Sequence, residues 1–202
     1  MPIFDDQNKH IADSLIVDGN LEKILFLDSS YHIDSIIFSR FQNGKTNSIE
    51  TFYKGLPVFE NIYFYKNGAI CRYKFYSSTC KDCFYERFYD IKGTLKEKIG
   101  NIFFNSYVVN YENNIINTVK GETITYRIFF PTPPDCQSII SLIGKDNNLY
   151  DVFNTSFLKY LKVTYNDNKF SGNYETRIKL TIKESETKEL NECINSFFIN
   201  VK

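Results

Sequence analysis

The sequence predicts an all-β protein, in which a meander of aromatic β-hairpins is followed by a small β-sandwich-like module. Aromatic residues are abundant, with 19 Phe and 15 Tyr, whereas Trp is absent and Met occurs once. This composition favours pleated sheets lined with rings over helix bundles rich in Leu and Ala. Glycines recur at a fixed spacing in the first half of the chain, and strand-like runs without that repeat follow in the second half.

The chain length suits two modules. A chain of 202 residues can form two domains of roughly 100 residues, each able to bury a core without disulfides. We place a repeat meander over residues 1–110 and a β-sandwich-like module over residues 111–202, because the aromatic pattern changes at about residue 106.

Four hairpin tips organise the first module. Their glycines are evenly spaced, since 44 − 19 = 25, 68 − 44 = 24 and 93 − 68 = 25. Asp-Gly and Asn-Gly are preferred centres of type I′ turns, because both central residues of such a turn need positive φ. We therefore predict one continuous antiparallel sheet, with hairpin tips at Gly19, Gly44, Gly68 and Gly93.

Aromatic residues keep the same register around these tips. Aromatic residues precede three of the four glycines, and at least one follows each glycine by seven to eleven positions. Second turns are predicted at residues 28–30, at Lys54-Gly55 and at residues 77–78. Each hairpin can bury its rings only against its neighbours, as in other repeat proteins.

The repeat units have a family resemblance. The segments FSRFQNG at 38–44 and YFYKNG at 63–68, with the second turn at Tyr53-Lys54-Gly55, resemble the MORN-type repeat variant. The resemblance covers about residues 13–105. The glycine that usually follows the second turn in that family is missing after Gly55, and Ser77-Ser78 replaces the turn in the third copy. Bacterial proteins with such repeats include a group that resembles antitoxins or immunity proteins of polymorphic toxin systems, which implies a protein partner such as a cognate toxin.

The second module is predicted from alternating strands. Residues 123–129 alternate polar and apolar side chains, and the proline-rich run at 131–134 stops them because proline has no amide donor. Further strands are predicted at 138–143, 159–165, 176–182 and 194–201, and this spacing is typical of a small β-sandwich. Residues 184–195 could instead form a short helix, because Leu190, Cys193 and Ile194 have helical spacing.

The residues that could carry chemistry do not form a recognisable constellation. Cys80 and Cys83 form a single CxxC motif, and His10 and His32 are the only histidines. Free thiols in a hairpin loop are the preferred interpretation, while a disulfide and a metal site stay open. A cysteine-dependent enzyme that uses Cys80 or Cys83 is the least favoured class. We therefore expect no enzyme, no cofactor and no metal.

Charge and the N-terminus bear on the partner and the compartment. Lys plus Arg and Asp plus Glu both number 24, so no global field would steer the chain onto nucleic acid or an anionic membrane. Asp5 and Asp6 stand where a secretory signal would be basic, and no apolar run reaches the length of a membrane span. We expect a cytoplasmic protein, although an exported chain whose signal has been removed would show the same features.

The expected function is protein binding through an aromatic sheet face, as in an immunity or antitoxin protein. Tyr63 and Tyr65 lie two residues apart, so strand alternation places both on one face, and their hydroxyls favour a more exposed setting than Ile62 and Phe64 would. Tyr beside Arg is enriched at protein interfaces. The alternative is a structural or cell-envelope-associated scaffold of a low-GC bacterium. The partner-binding residues are predicted to be Tyr63 and Tyr65, with Arg40, Arg87 and Tyr89 from the other row as a second choice.

Overall fold

The described part of the protein is built from β-strands. The computed structural model describes residues 1–4, 10–27, 33–77, 84–108, 115–118, 123–143, 149–153, 158–164, 172–184 and 190–201. Over these ranges it has eighteen strands and no helix, which confirms the prediction of an all-β fold. The chain divides into two compact units, Met1–Asn101 and Ile102–Lys202. The boundary predicted at residue 110 lies outside the described residues.

The first unit is a ten-stranded meander. Its strands run in the order β1-β2-β3-β4-β5-β7-β8-β9-β10, and the short β6 pairs with β5. All of these pairs are antiparallel. The strands are β1 (Pro2–Phe4), β2 (His10–Val17), β3 (Asn20–Phe26), β4 (Ser35–Arg40), β5 (Thr46–Tyr53), β6 (Leu56–Pro57), β7 (Phe59–Phe64), β8 (Ile70–Tyr76), β9 (Phe84–Tyr89) and β10 (Leu95–Gly100).

The four predicted tips lie where the sequence places them. They connect β2 to β3, β4 to β5, β7 to β8 and β9 to β10, and each tip glycine has positive φ. The predicted continuous sheet of four hairpins is therefore confirmed. The second turn at Lys54-Gly55 also forms, with φ values of 50° and 74°. The second turn predicted at 28–30 lies outside the described residues.

The turn type differs from the prediction at the two Asn-Gly tips. Asp18 and Gly19 both have positive φ, as a type I′ turn requires. At the second tip only Gly44 does: its N–H donates to the Phe41 carbonyl (2.9 Å), and the Phe41 N–H donates to the Lys45 carbonyl (2.8 Å). The same pair of bonds closes residues 65–69 and 90–94. All three are three-residue loops in which a type I turn precedes a left-handed glycine, so the type I′ prediction was wrong for Asn43-Gly44 and Asn67-Gly68.

A β-bulge accompanies each of these three-residue loops. The pairing register shifts between Ser39 and Arg40, between Tyr63 and Phe64, and between Leu95 and Glu97. A bulge puts two residues of one strand opposite one residue of its partner and interrupts the alternation of side chains. The three hairpins therefore repeat in backbone conformation as well as in amino-acid sequence. The alternation of side chains between the two sheet faces is interrupted close to their tips.

Pairing register divides the side chains of the meander between two faces, because residues directly opposite each other share a face. One row defines the front face and consists of Ser39, Ser48, Tyr63, Arg72 and Phe88. The adjacent row lies on the back face and consists of Phe38, Ile49, Ile62, Tyr73 and Arg87. The back face is deeply buried at its centre, where Tyr73, Phe75 and Arg87 are fully buried.

The second unit contains two smaller sheets. Their orders are β11-β13-β16 and β12-β18-β17-β14-β15, and only β12 and β18 pair in parallel among the described strands. The strands are β11 (Asn105–Val108), β12 (Ile115–Thr118), β13 (Thr123–Phe129), β14 (Cys136–Ile143), β15 (Leu149–Phe153), β16 (Leu158–Thr164), β17 (Gly172–Glu184) and β18 (Leu190–Val201).

The core of the second unit follows the alternation of β17. Ile178, Leu180 and Ile182 are fully buried, whereas Lys183 is exposed. One covered face is typical of sheets in a sandwich. The predicted strand at 123–129 is confirmed. The helical alternative is wrong over the described residues from Leu190 onward, where β18 begins.

Candidate partner-binding face

A network of polar side chains crosses the front face from β4 to β7. The hydroxyls of Ser39 and Ser48 lie 2.7 Å apart, and Ser48 donates to Glu50 Oε1 at 2.7 Å. The Tyr63 hydroxyl donates to Glu50 Oε2 at 3.0 Å. Both oxygens of Glu50 thus accept a hydrogen bond, and the Tyr63 ring is fixed in place by its hydroxyl.

Arg72 continues the network onto β8 and β9. Its guanidinium lies 5.5 Å from the centre of the Tyr63 ring and 5.4 Å from that of Phe88, and its Nε pairs with Glu86 Oε1. The Arg72 side chain is 39% exposed, whereas that of Glu86 is 4% exposed. Two rings and a buried carboxylate therefore hold a cation that solvent still reaches.

Glu86 is shared between two cations. Lys74 Nζ lies 3.6 Å from Glu86 Oε2, and it lies 4.0 Å from the centre of the Phe84 ring and 4.6 Å from that of Tyr76. A buried carboxylate is tolerated only when it is paired. Glu86 meets this condition because Arg72 and Lys74 both face it.

The local environment shifts the pKa values of two of these groups. Burial raises the pKa of Tyr63, and the charge of Glu50 and the hydrogen bond to it raise the pKa further. The phenol therefore stays a hydrogen-bond donor throughout the ordinary pH range. Burial lowers the pKa of Arg72, but the hydrogen bond to Glu86 and its charge outweigh that effect, so the net shift is upward.

Apolar side chains extend the front face towards the first hairpin. Leu15 and Ile37 both lie opposite Lys23, and Leu25 follows two residues later on β3. Leu15 is 52% exposed and Leu25 is 44% exposed. Ile37 also pairs with Glu50, so this apolar patch adjoins the polar network on the same face.

The hydroxyls of Tyr63 and Tyr65 form hydrogen bonds with different strands. Tyr63 belongs to the front-face network, whereas the Tyr65 hydroxyl donates to the Tyr89 carbonyl at 2.8 Å. The register shift beside Phe64 leaves Cys71 of β8 as the extra residue, because Tyr63 pairs with Arg72 and Phe64 with Ile70. The two hydroxyls have different partners, one on β5 and the other on β9.

The second-choice residues have largely internal settings. Arg40 donates through Nε to Glu22 Oε1 (3.1 Å), and through its other nitrogens to the carbonyls of Leu21 (3.1 Å) and Gly44 (3.2 Å). It thereby connects β3 to the second tip. Arg87 is fully buried and donates to the Tyr85 hydroxyl at 3.0 Å, and Tyr89 is 3% exposed. Neither side chain of this pair forms part of the surface.

Sequence reasoning missed Arg72, Glu50 and Glu86. A signal for Arg72 was present, because counting outward from the tip at Gly68 places it opposite Tyr63 once the bulge is allowed for. No comparable signal in the sequence predicted that the Glu86 side chain is buried, because burial depends on which other side chains lie over the sheet.

Other candidate chemistry is sparse in the described part of the chain. No group of three His, Cys, Asp or Glu side chains there could hold a metal ion. Cys71 and Cys193 carry free thiols, and burial raises the pKa of both. Cys80, Cys83 and His32 lie outside the described residues. Within the same ranges no helix has the length and apolar character that a membrane span requires.

Two comparisons with known proteins found no match for this chain. No protein-family model matches the chain, and no curated protein matches it either. The resemblance to the MORN-type repeat variant therefore stays a prediction from the motifs at 38–44 and 63–68.

Proposed function

We propose that this chain is a non-enzymatic protein-binding module of the immunity or antitoxin type, and that it binds its partner protein through the front face of the meander. The observation that carries the proposal is the setting of Arg72, which is partly exposed while Tyr63, Phe88 and Glu86 hold its guanidinium.

A fixed arginine is well suited to binding. Arg and Tyr are enriched among the residues that dominate binding energy, and a side chain that is already ordered loses less entropy when a partner arrives. A cation over a ring contributes about 0.5–1 kcal/mol when exposed and about 2 kcal/mol when desolvated. A partner that covers Arg72 would therefore strengthen its contacts with Tyr63 and Phe88.

The extent of the face supports the same proposal. Leu15 on β2 and Phe88 on β9 lie on the first and last of seven adjacent strands, and the six spacings between these strands correspond to about 29 Å. A standard interface buries about 800 Å² on each partner, a patch roughly 30 Å across. The apolar patch around Leu15, Leu25 and Ile37 together with the polar network gives the mixture that such interfaces contain.

The test is affinity capture from a lysate of the native host, followed by mass spectrometry. The tagged wild-type chain should enrich one partner protein, and Arg72→Ala should reduce that enrichment by about tenfold or more. Lys183→Ala, an exposed cation on β17, is the matched control and should capture normally. Equal capture by Arg72→Ala and the wild type would contradict the proposed face.

The immunity assignment has its own test. The captured partner should arrest growth when expressed alone, and co-expression of the wild-type chain should restore growth. Arg72→Ala should restore it less well, whereas Lys183→Ala should restore it fully. A partner that is harmless when expressed alone would count against an immunity protein and favour the scaffold alternative.

A further inference from the structure

Three hairpin tips of the meander are bonded side by side. Lys45 Nζ donates to the Asn67 carbonyl at 3.3 Å, and Asn67 Nδ2 donates to the Ile91 carbonyl at 3.4 Å. Each bond joins one repeat to the next. We call residues 42–45, 66–68 and 91–93 the tip row. The two bonds hold each of these tips next to the following one.

The tip row has an excess of positive charge. Lys45, Lys66 and Lys92 are all exposed, one at each tip, and over the described ranges none of them forms an ion pair. The nearby acid Asp90 is already occupied, since it pairs with Lys96 at 2.9 Å and accepts from the backbone N–H groups of Lys92 and Thr94. Glu22 likewise pairs with Arg40. Lys66 and Lys92 therefore remain available to an outside anion, and Lys45, whose Nζ reaches the Asn67 carbonyl of the third tip, keeps a charge that no acid among the described residues pairs with.

An open pocket of about 560 Å³ lies beside the second tip, between it and the third. Asn43 Oδ1 accepts from the Lys45 backbone N–H at 3.1 Å, so the remaining polar group of that side chain is its NH₂ donor. Arg40 already pairs with Glu22, but the Lys66 cation, the amide groups and one ring suit a carboxylate better than a neutral or cationic group. The lining residues are Arg40, Phe41, Gln42, Asn43 and Lys66.

We propose that the tip row binds an acidic peptide segment in polyproline II conformation, with a carboxylate at every third residue. Each tip joins one pair of neighbouring strands, so successive tips are two strand spacings apart. The tips therefore recur at about 9.6 Å. A polyproline II helix turns once every three residues and advances about 9.3 Å, which brings acids at i, i+3 and i+6 to successive tips. The Phe41 ring supplies the aromatic wall that such segments commonly dock against.

The spacing favours a peptide over a nucleic acid. A DNA strand carries a phosphate at about every 3.4 Å of helix axis, a much denser row of charge than one lysine per tip. The acidic segment would belong to the protein partner, so the inference rests on the proposed function and names the chemistry of part of that partner.

The experiment measures fluorescence anisotropy of a labelled (Glu-Pro-Pro)₄ peptide with the full chain at low salt. A peptide of the same composition with its four glutamates contiguous is the comparison. We expect the spaced peptide to bind at least about fivefold more tightly, and Lys45→Gln/Lys66→Gln/Lys92→Gln to weaken its binding at least about fivefold, because each exposed charge pair contributes little alone. Arginine at the same three positions should preserve binding.

Controls separate the tip row from general charge effects. Lys54→Gln/Lys183→Gln removes two exposed lysines elsewhere and should bind like the wild type, and thermal unfolding verifies that every variant is folded. Failure to saturate by about 1 mM peptide, or an equal loss in the control variant, would overturn the proposal. So would tighter binding of a dT₁₂ oligonucleotide or of phosphatidylserine vesicles. Because this assay needs no native partner, failure here with intact partner capture through Arg72 would remove the tip-row inference alone.

Discussion

At the scale of single residues, the Glu86 carboxylate links the two cations of the front face. It is buried and pairs with Arg72 and Lys74. Breaking a fully buried ion pair by removing one partner costs about 3–5 kcal/mol, but the exposure of Arg72 reduces that penalty. We therefore expect Glu86→Ala to lower the free energy of unfolding by about 2 kcal/mol, which is less than the buried-pair figure. Arg72→Ala should cost about 1 kcal/mol, because Lys74 still compensates Glu86. Urea unfolding of the two variants checks this order, and a larger loss for Arg72→Ala would contradict it.

Asp90 is a second residue whose contribution can be isolated. The side chain of Lys96 and then the backbone N–H of Thr94 lower the pKa of Asp90 from 3.8 to about 2. A depressed carboxylate pKa adds stability above the ordinary value, and that stability is lost as pH falls towards the folded value. The last hairpin should accordingly weaken only between about pH 4 and pH 2. An NMR titration of the Asp90 carboxyl group should show a midpoint near 2, and Lys96→Ala should move it towards 3.8. An ordinary midpoint in the wild type would argue against these contacts.

At the scale of elements, two glycines with the same backbone conformation should respond differently to substitution. Gly44 has φ of +79° and Gly100 has φ of +80°, and alanine in this left-handed region costs about 1–2 kcal/mol. An added Cβ meets nothing within 4 Å at Gly44, whereas at Gly100 it collides with the Phe84 carbonyl oxygen. Gly44→Ala should therefore lower the free energy of unfolding only by the cost of placing alanine in the left-handed conformation. Gly100→Ala should lower it more, because β9 and β10 must separate. Urea unfolding compares them, and equal losses would show that the end of β10 moves without penalty.

The elements were more predictable than their junctions. Strand positions and all four tips follow from alternation and glycine spacing, which are local properties of the sequence. Turn type at Gly44 and Gly68 was not predictable from Asn-Gly alone, because a three-residue loop and a two-residue loop place the same dipeptide differently. The choice depends on the bulges at Ser39/Arg40 and Tyr63/Phe64, which are set by pairing across strands.

At the scale of the whole molecule, the sequence could not decide between the two sheet faces. Both faces carry aromatic residues, so polarity does not mark either of them as the surface. Arg87 shows the difficulty: its charge suggests exposure, yet it stands in the back-face row at the position equivalent to Phe38 and Ile62 and is fully buried. The burial of a side chain depends on how the entire sheet is covered, and no local sequence pattern predicts it.

The two faces lead to a final prediction that assigns binding and folding to different residues. Tyr63 contacts Glu50 and Arg72 on the front face, so Tyr63→Ala should weaken partner binding by about 2 kcal/mol or more, as expected for a hot spot. Tyr89 is almost fully buried, so Tyr89→Ala should instead cost about 3 kcal/mol of folding stability, the range for a large core side chain. Partner affinity by biosensor and urea unfolding, measured on the same two variants, separate the roles. If Tyr63→Ala unfolds the chain while its folded fraction binds normally, Tyr63 belongs to the core and the partner binds elsewhere, with the second unit, Ile102–Lys202, as the next surface to test.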